Sequence, residues 1–118
     1  MSQIDDWNTQ FETELEQAES ARQSGNEGMA RVCARRAAGI VAGQYLKMRG
    51  LPVPGPSAVD RLNSVASLPD TTTEIRETIR HLLIRVTPEH RLPIEADLIA
   101  DARLLKDYLL TDEFFSGF

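Results

Sequence analysis

The segment that most constrains the fold is residues 27–49, EGMARVCARRAAGIVAGQYLKMR, which contains no proline and predicts one long helix. Small residues recur along it at helical spacing: Ala30, Ala34, Ala37, Ala38, Gly39, Ala42 and Gly43. Larger apolar residues, among them Tyr45 and Met48, widen this surface beyond a single stripe. A helix of this kind is typical of the centre of a bundle, where it contacts several partners. We therefore expect it to be the most buried helix, with Gly39 or Gly43 at a close helix crossing.

Apolar residues at steps of three and four predict the other helices. The first covers residues 3–23, a short helix begins at Ser57, and the last covers about 94–110. Thr71 and Glu74 match a capping box, which predicts the start of the third long helix. No segment alternates polar and apolar residues for long enough to form a strand. The predicted fold class is all-α, an up-and-down bundle of four main helices with one additional short helix.

Residues 24–26, Ser-Gly-Asn, separate the first two helices with residues that favour a turn. These helices should therefore form an antiparallel hairpin. The first 20 residues hold six acidic side chains and no basic one, whereas the second helix is rich in arginine. We expect acidic side chains of the first helix to face basic side chains of the second. Glu95, Asp97 and Asp101, near the last helix start, are interpreted as carboxylates that oppose the positive end of that helix.

Composition limits the class of protein. A chain of 118 residues forms a single domain, residues 1–118, and its net charge of −5 provides no overall basic field for nucleic acid. The single cysteine, Cys33, lies among alanines and is interpreted as a small buried apolar residue. The acidic N-terminus is unlike a signal peptide, and no apolar run reaches the roughly 18 residues of a membrane span. We expect a cytoplasmic protein with no contact to a membrane.

The run of residues 16–49 resembles the hairpin of the HEPN domain, a small helical domain. The resemblance rests on AxxAR at residues 18–22, the Gly-Asn turn at 25–26, and ARRAAGIVAGQYL at 34–46. Residues 85–88, Arg-Val-Thr-Pro, are similar to the turn before the last helix of some members. HEPN domains are often encoded beside minimal nucleotidyltransferases or act as RNA-cleaving toxins. The resemblance implies a homodimer, and a nucleotidyltransferase-like protein as a possible partner.

RNA-cleaving HEPN members carry an arginine followed after four to six residues by a histidine. The chain holds two such spacings, Arg76 to His81 and Arg85 to His90. By this resemblance Arg76 and His81 are the candidate catalytic residues, the arginine binding phosphate and the histidine moving a proton. The alternative is structural, because Glu77, His81 and Arg85 lie four residues apart and can pair along one helix face. No metal-ligand spacing or cofactor motif is present, so no metal and no cofactor are expected.

Candidate anion-binding residues for a nucleotide or RNA are Arg31, Arg35, Arg36 and Arg85. The alternative is that these arginines face glutamates or solvent. The leading hypothesis is a non-catalytic, homodimeric HEPN-like domain that binds a nucleotide or RNA-like anion, or a protein partner. The second is a metal-independent ribonuclease of the toxin type, and the third is a plain protein-interaction module.

The apolar C-terminal tail, residues 111–118, carries three phenylalanines, Phe114, Phe115 and Phe118. Contiguous apolar surface of this kind usually marks a contact. The tail can pack on its own domain or across a homodimer, and the sequence leaves both open.

Overall fold

The computed structural model describes residues 6–84 and 97–110; residues 1–5, 85–96 and 111–118 lie outside this description. Within the described ranges the chain is all-helical, with no strand, and the expected all-α class is confirmed. Arg85, His90 and the phenylalanine tail fall outside. The helices are α1 (Asp6–Gln23), α2 (Glu27–Met48), α3 (Ala58–Ala66), α4 (Thr73–Leu83) and α5 (Leu98–Leu110).

Helix α2 is the central element, because it packs against all four of the other helices. Its buried residues are mostly small: Ala30, Cys33, Ala34, Ala37, Ala38, Gly39, Val41, Ala42, Gly43 and Leu46. Larger side chains from its neighbours, such as Phe11 and Leu105, complete the core. Burial raises the pKa of the Cys33 thiol, in agreement with its interpretation as a buried apolar residue.

Gly39 and Gly43 of α2 lie at close approaches of α3, as predicted. A Cβ built on Gly39 would lie 2.6 Å from the Ala58 Cβ and 2.8 Å from the Ala58 Cα, so the backbone of α3 rests directly on α2. A Cβ on Gly43 would instead meet the guanidinium of Arg61, 2.6 Å from its Nη1. At both crossings the absence of a side chain on the glycine lets α3 approach α2 closely. Only at Gly39 does a main-chain atom of α3 lie within 3 Å of the position that a Cβ would take.

The hairpin of α1 and α2 is present, and its turn has the predicted chemistry. Gly25 has a φ of +84°, a conformation that glycine adopts without steric cost. Asn26 then caps α2, where its side-chain oxygen accepts a hydrogen bond from the Met29 backbone N–H. Arg22 and Glu27 join the two helices across the turn, with 2.9 Å between Nε and Oε1.

The expected pairing of acidic α1 with basic α2 is wrong. The acidic residues of α1 that form ion pairs in the described structure face α5 instead. Arg103 lies 3.6 Å from Glu12 and 3.2 Å from Glu19, and Lys106 lies 3.7 Å from Glu12. The reason is geometric, because α1 faces the core with buried apolar residues, Phe11, Leu15 and Ala18, and its carboxylates lie outside this face.

The helix starts differ from the sequence expectation at α4. The cap is Thr72, whose hydroxyl accepts a hydrogen bond from the Ile75 N–H at 3.2 Å, rather than Thr71. The Thr71 hydroxyl donates to the Val65 carbonyl at 2.7 Å and is buried, so it ties the turn to α3. Asp97 has the structural role predicted for it, because its carboxylate accepts from the N–H groups of the first turn of α5.

Candidate functional site

The two candidate catalytic residues on α4 contact different helices. The Arg76 guanidinium donates to the carbonyl oxygens of Ala66 and Leu68, each at 3.2 Å, and so holds the end of α3. His81 faces α5, with its Nδ1 3.4 Å from the Asp101 Oδ2. Within one chain, therefore, the structure does not bring Arg76 and His81 to a common point.

Asp101 is the partner of His81 that sequence reasoning missed, because the carboxylate was interpreted only through its position near a helix start. Its side chain is 14% exposed, and burial raises the pKa of the Asp101 carboxyl above its usual range while His81 opposes that rise. The 3.4 Å contact is too long for a well-formed hydrogen bond. Histidine beside a carboxylate occurs in sites that transfer protons. The proposed ribonuclease site also needs an arginine to bind phosphate, and no arginine contacts His81 or Asp101 among the described residues.

Glu77 does not pair with His81 as the structural alternative proposed. Its carboxylate accepts a hydrogen bond from the Arg80 Nε at 2.8 Å, three residues along the same exposed face. This bond lowers the pKa of the Glu77 carboxyl. The third member of that alternative, Arg85, lies outside the described residues.

The candidate anion-binding arginines of α2 point to three different places. Arg35 donates from Nε to the Leu82 carbonyl at 2.6 Å and from Nη2 to the Ile84 carbonyl at 3.3 Å, and thus satisfies the C-terminal end of α4. Arg31 lies 3.7 Å from Glu27 in its own helix. Arg36 is exposed and lines a separate cavity. These three residues do not form one cationic site.

The cavity beside Arg36 has a volume of about 380 Å³ and lies between α1, α2 and the start of α3. Arg61 also lines it, but the Arg61 Nε already donates to the Gly55 carbonyl at 2.6 Å. Glu14 contributes a carboxylate oxygen that is buried and has no hydrogen-bond partner. A buried carboxylate among the arginines opposes the binding of an anion here.

A second cavity, which we call the tyrosine cleft, lies where the ends of α2 and α5 meet the start of α4. Its volume is about 400 Å³, within the size range of ligand-binding sites. Two of its large side chains are exposed, since Met48 is 47% and Tyr108 is 39% exposed. The lining residues are Tyr45, Met48, Arg49, Asp70, Thr72, Ile75, Tyr108, Leu109 and Leu110.

The charges at the edge of the tyrosine cleft neutralise each other. Arg49 forms two contacts with Asp70, of which the shorter joins Nη2 to Oδ2 at 2.9 Å. The hydrogen bond with Arg49 lowers the pKa of the Asp70 carboxyl and raises that of the guanidinium. Arg49 also donates to the Tyr45 hydroxyl at 2.9 Å and lies 5.4 Å from the centre of its ring. The cleft is thus an apolar surface with a neutral polar edge.

Sequence reasoning did not find the tyrosine cleft, because its residues come from three separate segments. Tyr45 and Met48 were interpreted only as parts of a wide apolar face of α2. One feature of the sequence could have indicated it. The apolar pattern of α2 continues to its last turn, beyond the alanine-rich part of the helix, and so leaves apolar residues there for another contact. Tyr108 joins them only because α5 packs with its end beside the end of α2.

The described residues contain no group of three or more His, Cys, Asp or Glu side chains arranged to hold a metal ion. Among the helices of residues 6–84 and 97–110, none is both long and apolar enough to cross a membrane. Comparison with models of known protein families, with curated proteins and with solved structures gave no match.

Proposed function

We propose that this chain is a non-catalytic HEPN-like helical domain that binds protein partners, and that a second copy of the chain is the first of these partners. The observation that carries the proposal is the tyrosine cleft, where apolar side chains are exposed around a neutralised ion pair. Exposed apolar side chains around a concave surface usually mark a binding site. A nucleotidyltransferase-like protein is the further partner that the HEPN resemblance implies.

The helix directions support an up-and-down arrangement of the four long helices. Lys106, near the end of α5, donates to Asn8 near the start of α1, while Arg22 at the end of α1 contacts Asp97 beside the start of α5. These contacts place α1 and α5 antiparallel. The His81–Asp101 contact similarly joins the end of α4 to the start of α5. Alternating directions of this kind are compatible with a HEPN-like bundle.

The charge distribution favours a protein over a nucleotide or RNA as the ligand. Three arginines, Arg35, Arg49 and Arg76, already donate to carbonyl or carboxylate groups. Arg36 has no such contact among the described residues, but it lines the cavity that also contains Glu14. An anion would have to displace these contacts or bind beside the buried oxygen of Glu14. An apolar surface of a partner protein can bind at the tyrosine cleft without displacing an arginine contact and without approaching a buried carboxylate.

Self-association is tested by sedimentation velocity over a range of micromolar concentrations. We expect a species of twice the 13.2 kDa chain mass, with an interface larger than about 1,000 Å² in total. Met48→Gln should shift the equilibrium toward the monomer, because it places an amide in the apolar cleft. Val59→Gln is the matched control, since Val59 is 45% exposed but lies outside the cleft. A single 13.2 kDa species of the parent at every concentration would contradict the proposal.

The second candidate function is a metal-independent ribonuclease, which the contact of His81 with Asp101 favours. We expect the purified protein not to cleave a mixed RNA substrate, because no arginine joins this pair in the described chain. The assay compares the parent with His81→Ala by gel electrophoresis of the RNA. Cleavage by the parent that is lost in the His81→Ala variant would establish the ribonuclease instead.

A further inference from the structure

We infer that the tyrosine cleft of each chain takes the phenylalanine-bearing C-terminal segment, residues 111–118, of a second copy. This inference rests on the proposed homodimer and identifies the segment that makes its contact. It starts from the end of α5. Leu109 and Leu110, the last residues of that helix, themselves line the cleft, so the chain leaves the described structure at the edge of the cleft.

The sequence that follows matches the chemistry of the cleft. Residues 111–118 read TDEFFSGF, with Phe114, Phe115 and Phe118 within five positions. The cleft offers Met48, Tyr108 and Ile75, and thioether–aromatic and aromatic–aromatic contacts are favourable beyond simple burial. Docking of the segment would remove both its phenylalanines and the apolar side chains of the cleft from water. A partner of unrelated chemistry is not needed to explain either of them.

The distance also suits an exchange between two chains. Eight residues span at most about 3.3–3.6 Å each, or roughly 26–29 Å in total, which is enough to cross a two-fold axis beside the end of α5. Entry into the cleft of the same chain would require the chain to reverse within residues 111–113, the three residues that separate the end of α5 from Phe114. Exchange of identical segments buries two clefts per dimer and gives an isologous interface.

Disulfide trapping between two full-length variants tests the exchange directly. One variant carries Met48→Cys in the cleft, and the other carries Ser116→Cys, which leaves all three phenylalanines in place. The natural Cys33 is 1% exposed and should not compete. When the two variants are mixed and oxidised, we expect a covalent heterodimer to form roughly 10²-fold faster than in a mixture of Val59→Cys with Ser116→Cys, because docking raises the local thiol concentration. Equal rates in the two mixtures would overturn the inference.

A double variant, Met48→Cys with Ser116→Cys, separates the two possible sources of the segment. Interchain disulfides, seen as dimers on a non-reducing gel, are the expected product. A product linked within one chain, with no interchain species, would show that the cleft takes its own tail and would overturn the exchange.

Replacement of the three phenylalanines by serine in the full chain separates this inference from the proposed function. We expect Phe114→Ser/Phe115→Ser/Phe118→Ser to sediment as a monomer with unchanged helical circular dichroism. A parent and a triple variant that are both dimeric would leave the homodimer standing and overturn the role of the segment. A parent that is monomeric throughout would overturn both.

Discussion

Replacement of Gly39 by leucine is expected to lower the free energy of unfolding by about 3 kcal/mol, at the upper end of the cost of overpacking. The physical reason is the contact with α3, in which even a Cβ would lie 2.8 Å from the Ala58 Cα. A backbone atom cannot rotate away as a side chain can, so α3 as a whole must shift. Urea denaturation followed by circular dichroism measures the effect.

Two other glycines of the same helix provide the comparison. Gly28→Leu should be neutral or slightly stabilising, because the nearest atom to its Cβ is 3.8 Å away and leucine favours a helix. Gly43→Leu should cost less than Gly39→Leu, because it meets the Arg61 side chain rather than main chain. If Gly39→Leu and Gly28→Leu unfold at the same urea concentration, the close crossing described here is not a determinant of stability.

Replacement of Arg35 by methionine is expected to lower the free energy of unfolding by about 1.5–3 kcal/mol, the range for hydrogen bonds from charged groups. The change keeps the long apolar stem but removes the donors to the Leu82 and Ile84 carbonyls. Those carbonyls lie at the end of α4, where the helix itself supplies no partner. The expected fall in melting temperature is about 4 °C per kcal/mol for a domain of this size.

Arg36→Met is the matched control, because it makes the same substitution one residue further along α2. Arg36 is exposed, and no hydrogen bond or ion pair involves it among the residues described. Its effect should remain within about 0.5 kcal/mol of zero. Equal losses in the two variants would show that the charge of α2, rather than the contact with α4, is what stabilises the domain.

The candidate site could be predicted only as a set of residue types. Arg76 was selected because its spacing to His81 resembles that of RNA-cleaving HEPN members, and Arg35 because a guanidinium suits the binding of an anion. The structure uses both to satisfy carbonyls at the ends of neighbouring helices. Sequence reasoning could not anticipate this, since the partners of Arg35 lie 47 and 49 residues away along the chain. The same holds for two residues of α5: Asp101 contacts His81 of α4, and Tyr108 lines the tyrosine cleft together with residues of α2.

The sequence by itself determined the helices of this protein and the central position of α2. Helical periodicity, turn residues and small side chains act over a few residues, and their physical effects are therefore readable from neighbours in the chain. The tertiary structure alone decided which arginines are engaged, that the acidic face of α1 meets α5, and that the ends of α2 and α5 enclose an apolar cleft. Those features depend on how the helices pack together, which places residues far apart in sequence within a few ångströms of one another.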